Sequence, residues 1–213
     1  MRGYGILEKE ESKSSIHNAL HELRRNGYTK INSGLKKAKI KEIQLKYEDV
    51  FNEYHKNYDG LESIDEHNTI RAPLLFDKIF LDLAKNKVVL EILHNLCGTN
   101  MILNQQNGII NPPNKEYNQS YWHRDLPYQH YTSSRPLAMN ALFCVDDFTF
   151  MNGATAVLPG THLFEKLPTE DFINNNKIQI EAKAGDFIIC DAMIYHSGEY
   201  NSSKKARRGV NHV

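Results

Sequence analysis

The segment "SYWHRDLPYQHY" over residues 120–131 contains two side chains that bind metals, His123 and Asp125, two positions apart. In extended backbone, two such residues leave the same face of the chain, so both can reach one ion. A third candidate, His196, follows the apolar run "FIIC" much further along the chain. Two histidines and one carboxylate form the facial triad of non-haem Fe(II) sites, which keeps coordination positions open. His123, Asp125 and His196 are therefore candidate ligands of such a site, and a hydrogen-bonded pair in a turn remains the alternative for the first two.

The same segment contains the letters H-R-D-L, which also begin the catalytic loop of protein kinases. That loop needs an Asn at the position where this sequence has His130. A kinase also needs a glycine-rich loop upstream and a D-F-G motif downstream, and the sequence has neither. We therefore exclude the kinase interpretation.

Two neighbouring arginines are candidates for binding the second carboxylate of a 2-oxo acid. Such a carboxylate needs a buried cation, and the planar fork of Arg suits it better than Lys. Arg207 and Arg208 follow His196 in the segment "KKARRGV". Neighbouring residues of a strand face opposite ways, so only one of them can point inward. The spacing favours Arg207, and Arg208 remains the alternative.

The balanced charge favours a ligand that is neutral or recognised by a local site. Twenty-six basic and twenty-six acidic residues cancel among 213, so no global field attracts nucleic acid or an acidic membrane. The apolar runs are too short to span a bilayer, and "MRGYGILEKEESKSS" lacks the apolar region of a secretory signal. The three cysteines are isolated, which is typical of buried thiols in the cytoplasm. These features predict a cytoplasmic protein with no nucleic-acid or membrane partner, and they leave its oligomeric state open.

The pattern of apolar residues changes near residue 100. Before it, "SSIHNALHELRRNGY", "LKKAKIKEIQLKYEDVFNEYHKNY", "FDKIFLDLAKN" and "KVVLEILHNLCG" have helical spacing, with a short extended piece, "YTKI", after the first. After it, short β-rich runs alternate with Asn, Gly and Pro turns. This order predicts an α+β protein whose β part is a sandwich or a barrel.

Four motifs in this order resemble the phytanoyl-CoA dioxygenase family of Fe(II)/2-oxoglutarate oxygenases: "WHRD", "NGATAVLPGTH", "GDFIICDAMIYHSG" and the "RR" that follows. The upstream segments "LRRNGYTKI" and "VVLEILHNLCG" resemble the family's N-terminal helix and strand and the helix before its core. The resemblance implies one oxygenase domain over residues 16–213, with helical support over about 16–99. The core, over about 100–213, is expected to be a double-stranded β-helix, or jelly roll, like that of cupins. Residues 1–15 are expected to form an N-terminal arm, and the last strand is expected to be cut short.

The resemblance also implies roles for single residues. His123, Asp125 and His196 would hold Fe(II), and Arg207 would bind the C5 carboxylate of 2-oxoglutarate, with O2 as the other co-substrate. Family members often have a Ser or Thr that helps bind 2-oxoglutarate where this sequence has Gly198. Two groups of further candidates complete the expected site, Gln106 and Asn111 for 2-oxoglutarate, and Tyr128, His130 and Arg135 for the substrate.

The resemblance implies hydroxylation of a small molecule, with release of succinate and CO2. Related halogenases lack the carboxylate ligand and use its position for chloride, so Asp125 favours hydroxylation. Two alternatives remain open from the sequence. One is a cupin-like metal enzyme that does not use 2-oxoglutarate, and the other is a catalytically silent jelly-roll module that only binds a ligand.

Overall fold

The structure is a computed structural model that describes residues 15–58 and 68–213. The predicted N-terminal arm over 1–15 therefore lies almost wholly outside the described residues. The helices are α1 (Ser15–Asn26), α2 (Lys37–Asn57), α3 (Lys78–Ala84), α4 (Lys87–Cys97) and α5 (Glu170–Asn176). The strands are β1 (Tyr28–Asn32), β2 (Thr69–Arg71), β3 (Gln106–Asn111), β4 (Met139–Cys144), β5 (Thr155–Val157), β6 (Ile178–Gln179), β7 (Asp186–Asp191), β8 (His196–Gly198) and β9 (Arg207–His212).

The predicted first helix ends at a glycine that turns the chain into the sheet. The backbone N–H of Gly27 donates to the carbonyl of Leu23 at 2.8 Å, and its φ of +79° is the left-handed conformation that glycine adopts without strain. A side chain at this position would also meet the ring of His162. The turn sends β1 directly along the edge of the sheet, where it pairs with β7.

The strands form two antiparallel sheets. Six of them pair in the order β1-β7-β4-β9-β3-β2, and three pair in the order β6-β5-β8. Side chains of β4 and β7 pack together with Val157 of β5 in one buried apolar cluster, so the sheets face each other. Two facing antiparallel sheets with helices outside them form the predicted jelly roll.

The two edge strands of the larger sheet come from the first half of the chain. β1 pairs with β7 at one edge and β2 pairs with β3 at the other. The division into helical support over 16–99 and a β core over 100–213 is therefore too simple. The last strand, β9, pairs with β3 over all six of its residues and also with β4.

The outer face of the larger sheet carries the main hydrophobic core. Phe143, Phe187 and Val210 point outward from β4, β7 and β9 and pack against the helical layer. Residues of the opposite parity point inward, between the two sheets. This alternation decides which polar side chains of β3, β4 and β9 can reach the site. Among the described residues, no helix is long and apolar enough to cross a membrane.

Candidate metal centre and anion pocket

The three predicted metal ligands converge in the space between the sheets. Their ligand atoms all lie within 4.8 Å of one another. The Nε2 of His123 is 3.6 Å from Oδ1 of Asp125, and the Nε2 of His196 is 3.8 Å from Oδ2. Two imidazole nitrogens and one carboxylate at this spacing match the donor set of a facial triad.

Backbone hydrogen bonds hold the triad in register. The N–H of His123 donates to the carbonyl of His196 at 3.0 Å, and the N–H of His196 donates back at 3.1 Å. The N–H of Asp125 donates to the carbonyl of Ala192 at 3.1 Å. The two ligand segments therefore form one antiparallel bridge, and their side chains cannot move apart without breaking it.

Both histidines present a free lone pair to the site. The Nδ1 of His123 lies 2.7 Å from the carbonyl of Tyr121, and the Nδ1 of His196 lies 3.1 Å from that of Ile194. A carbonyl only accepts, so each Nδ1 carries the hydrogen and each Nε2 keeps its lone pair. The buried Nε2 of His123 has no hydrogen-bond partner among the described residues. Burial, with His196 nearby, lowers the pKa of His123 and favours its neutral, ligating form. The residues therefore fit a metal ion.

Asn140 of β4 orients the carboxylate. Its Nδ2 donates a short hydrogen bond to Oδ2 of Asp125, and its side chain lines the same cavity as the triad. Hydrogen bonds of this kind fix a ligating carboxylate in one rotamer. Sequence reasoning missed Asn140, although a polar residue inside the apolar run "PLAMNALFCV" was a signal.

Arg207 is buried in the same cavity, and no described residue provides it with an acidic partner. Its side chain is 3% exposed, its guanidinium carbon lies 4.0 Å from the centre of the Phe148 ring, and its Nε has no acceptor among the described residues. The cavity holds about 60 Å³ and is lined by Arg207 together with the triad. A desolvated charge is costly unless it is paired, so the pocket is built for an anion.

The neighbouring arginine, Arg208, points away from the space between the two sheets. Arg208 donates to both carboxylate oxygens of Asp146, at 2.9 and 2.8 Å, and also forms an ion pair with Glu48 at 3.2 Å. These two carboxylates neutralise the charge of Arg208 on the outer face of β9. The geometry thus separates the two alternatives that the sequence left open, and it favours Arg207.

Gln106 and Asn111 serve the fold instead of lining this cavity. Gln106 points outward, where its Nε2 donates to the carbonyl of Phe80 at 2.8 Å and its Oε1 accepts from the N–H of Leu74 at 3.0 Å. Asn111 points inward, but its Nδ2 donates to the carbonyls of Gly153 and Glu199 at 3.2 and 2.9 Å. Neither residue lines the cavity of the triad and Arg207. The expectation that they contact 2-oxoglutarate finds no support in this geometry.

The three predicted substrate residues lie in different surroundings. Tyr128 is 75% exposed and lines a larger cavity of about 780 Å³, which Asp125 also borders. Arg135 lines a separate cavity together with His162. His130 is exposed and lines neither cavity. The structure therefore brings only Tyr128 into a cavity that reaches a metal ligand.

The Arg of the H-R-D motif ties the two ligand segments to a neighbouring turn. Arg124 faces away from the metal ligands beside it, and its guanidinium carbon lies 3.9 Å from the centre of the Tyr195 ring. It donates to four backbone carbonyls, those of Met193 at 2.8 Å, Glu165 at 3.0 Å, Thr161 at 3.1 Å and, through a short bond, Phe164. The first acceptor precedes His196, Thr161 belongs to the "PGTH" turn, and Phe164 and Glu165 follow that turn directly.

The comparisons with known proteins agree with this site. The family described as phytanoyl-CoA dioxygenase matches residues 23–209, and the chain belongs to this family. Its relatives include the uncharacterized protein Rv1501 of Mycobacterium tuberculosis, which is 28% identical over 159 residues, or 72% of this chain and 58% of that protein. The chain thus spans 58% of the length of this curated relative. Family membership and the His-Asp-His cluster confirm the prediction of Fe(II), 2-oxoglutarate and O2 as cofactors.

Solved structures confirm the predicted fold class. EctD from S. alaskensis, in a structure with 2-oxoglutarate and 5-hydroxyectoine, aligns with a TM-score of 0.80 and 17% identity. The alignment covers 99% of this chain and 80% of that one. The α-ketoglutarate-dependent epimerase SnoN from nogalamycin biosynthesis aligns with a TM-score of 0.68 and 18% identity, over 93% of this chain and 81% of that one. At these identities the likeness establishes the jelly-roll fold, and substrates do not follow from it.

Proposed function

We propose that this chain catalyses Fe(II)- and 2-oxoglutarate-dependent hydroxylation of a small molecule, with release of succinate and CO2. The observation that carries the proposal is one cavity that joins the His-Asp-His triad to a buried arginine, for which the described residues provide no acidic partner. The first feature suits iron, and the second suits the far carboxylate of a 2-oxo diacid. A cupin-like metal enzyme without 2-oxoglutarate has no need for Arg207 in that position.

In this proposal His123, Asp125 and His196 hold the metal. Bound iron would supply the activation of O2, driven by oxidative decarboxylation of 2-oxoglutarate. The protein contributes a fixed donor set, because backbone bonds hold both histidine tautomers and Asn140 holds the carboxylate. With only three protein ligands, this donor set would leave room at the metal for a co-substrate and O2.

Arg207 would anchor the C5 carboxylate of 2-oxoglutarate. Its planar fork donates to both oxygens of a carboxylate and keeps its charge when it is desolvated. Phe148 covers one face of the guanidinium, so the donors at its edge are directed into the cavity. Anchoring the far end of the co-substrate fixes the distance of its keto group from the triad.

The substrate would occupy the larger cavity beside Asp125. That cavity holds about 780 Å³, which is within the usual range for small-molecule sites. Its lining is mainly apolar, with α4 on one side and Leu126, Tyr128 and Leu137 on the other. A carbon placed near Asp125 would be close to the metal, with α4 and the residue 126–139 segment on either side of it. A small molecule with both apolar and polar groups suits this lining.

An anaerobic titration with Fe(II) and then 2-oxoglutarate tests the proposal. The weak visible charge-transfer band of the chelate is expected in the wild type and absent in His123→Ala. Arg207→Ala should need far more 2-oxoglutarate, whereas Arg208→Ala is the matched control and should need no more than the wild type. A protein that binds Fe(II) but gives no band with 2-oxoglutarate would favour the cupin-like enzyme. A folded protein that binds neither would favour the silent module.

A further inference from the structure

A phenol hydroxyl lies beside Arg207 in the buried cavity. Tyr117 stands between β3 and the short helical turn Asn118–Ser120 and is 8% exposed. The Nη2 of Arg207 donates to its Oη at 3.3 Å. Tyr117 also lines the cavity that holds the triad. The hydroxyl is thus part of the same polar end of the pocket as the guanidinium.

The two side chains leave donors without acceptors. Tyr117 accepts the hydrogen bond from Arg207, so its own O–H hydrogen points elsewhere, and the described residues give it no acceptor. The Nε–H of Arg207 has none either. Burial raises the pKa of Tyr117 against the opposing effect of Arg207, so the phenol keeps its hydrogen at neutral pH. A group that only accepts hydrogen bonds, such as a carboxylate, would satisfy both donors.

The hydroxyl has this position because residue 198 is a glycine. A Cβ built on Gly198 would lie 1.9 Å from Oη of Tyr117 and 2.8 Å from Cζ of the ring. Real atoms do not approach so closely, so any side chain at 198 would displace the phenol. The position of the phenol therefore depends on the residue at 198 in β8. Because Gly198 has no side chain, the hydroxyl has room to reach Arg207.

We propose that Tyr117 is a binding residue for the far carboxylate of 2-oxoglutarate, which its hydroxyl shares with Arg207. The inference rests on the proposed function. It adds a hydroxyl contact that no motif in the sequence marks. It also accounts for the glycine at position 198, where a Cβ would displace the phenol.

The first test is Tyr117→Phe, which removes the oxygen and keeps the ring. Loss of one hydrogen bond to a charged group should raise the dissociation constant of 2-oxoglutarate about 10- to 100-fold. The dissociation constant of Fe(II) should not change, because the triad is untouched. Both are measured anaerobically, by the charge-transfer band and by calorimetry. The matched probe is 2-oxopentanoate, which has the same chain length without the far carboxylate, and its affinity should be equal for the two proteins.

A second test moves the hydroxyl from position 117 to position 198. Gly198→Ser alone should weaken 2-oxoglutarate binding, because the new Cβ displaces the phenol. Tyr117→Val alone should weaken it by removing the hydroxyl. The double variant should bind more tightly than either single variant, since a Ser Oγ at 198 would reach the vacated place. A merely structural tyrosine would not give this rescue.

The outcomes separate this inference from the proposed function. No charge-transfer band in the wild type overturns the proposed function itself. A wild-type band together with unchanged 2-oxoglutarate affinity in Tyr117→Phe overturns the role of Tyr117 and leaves the oxygenase proposal intact. Equal losses for 2-oxoglutarate and 2-oxopentanoate would show that the tyrosine only packs, and would overturn the inference as well.

Discussion

Arg124 offers the sharpest test of how the metal centre is held together. Arg124→Lys keeps the positive charge and removes the fork. The arginine reaches four carbonyls through three nitrogens, and its Nε alone serves Met193. A lysine ends in a single nitrogen, so it cannot serve both Met193 and the "PGTH" turn. At least two hydrogen bonds to a charged donor should be lost.

The expected cost follows from these bonds. Hydrogen bonds to charged groups contribute about 1.5–3 kcal/mol each, so the loss of two costs about 3–6 kcal/mol. The stacking of Arg124 on the Tyr195 ring adds about 0.5–2 kcal/mol when it is lost. We expect the free energy of unfolding to fall by about 4 kcal/mol. For a domain of this size that corresponds to a Tm lower by roughly 10 °C.

Urea and thermal unfolding followed by circular dichroism measure this change. Arg208→Lys is the matched control, because it makes the same substitution at a second partly buried arginine. A lysine there can still pair with Asp146, so the control should lose no more than about 1–2 kcal/mol. The reasoning fails if Arg124→Lys is as stable as the wild type, or no less stable than Arg208→Lys.

Three further predictions concern the metal, the pH dependence and one turn. Asn140→Leu should raise the dissociation constant of Co²⁺ about 10-fold or more, because the carboxylate of Asp125 loses its fixed rotamer; a spectroscopic titration checks this, and unchanged affinity would contradict it. Burial lowers the pKa of His212 to about 4, whereas in the unfolded chain the imidazole has its ordinary value of about 6.5. Protons therefore bind the unfolded state first, and the free energy of unfolding should fall by roughly 3 kcal/mol between pH 6.5 and pH 4; urea unfolding at each pH should show a smaller fall in His212→Asn. Gly153→Ala should lower the Tm far more than Gly34→Ala, because both have positive φ (+70° and +74°) but only at Gly153 would the new Cβ meet a backbone carbonyl, at 2.1 Å; equal losses would show that backbone strain alone decides the cost.

The metal ligands could be predicted because their signal is local. His123 and Asp125 are two positions apart, and His196 follows a recognisable apolar strand. Neighbouring residues of a strand face opposite ways, and this local rule distinguishes Arg207, which faces inward, from Arg208, which faces outward. By the same alternation, Gln106 and Asn111 are five positions apart on one strand and face opposite ways, so they would not contact one ligand together.

The other functional residues could not be predicted, because their roles depend on distant partners. Tyr117 reaches Arg207 across 90 positions of the chain, and Arg124 reaches Met193 across 69. The position of β1 in the sheet also depends on a distant partner, since Asn32 pairs with Asp186. No local pattern encodes which strand an extended segment will join, and a polar residue in an apolar run does not reveal its partner.

The geometry gives Asp125 a position that neither histidine has. Its side chain borders both the small cavity with Arg207 and the large apolar cavity with Tyr128, whereas His123 and His196 line the small cavity. A co-substrate anchored at Arg207 and a substrate in the large cavity would therefore approach the metal from different sides of the same carboxylate. Asn140 fixes that carboxylate from the β4 side, so one hydrogen bond holds the side chain that both cavities share.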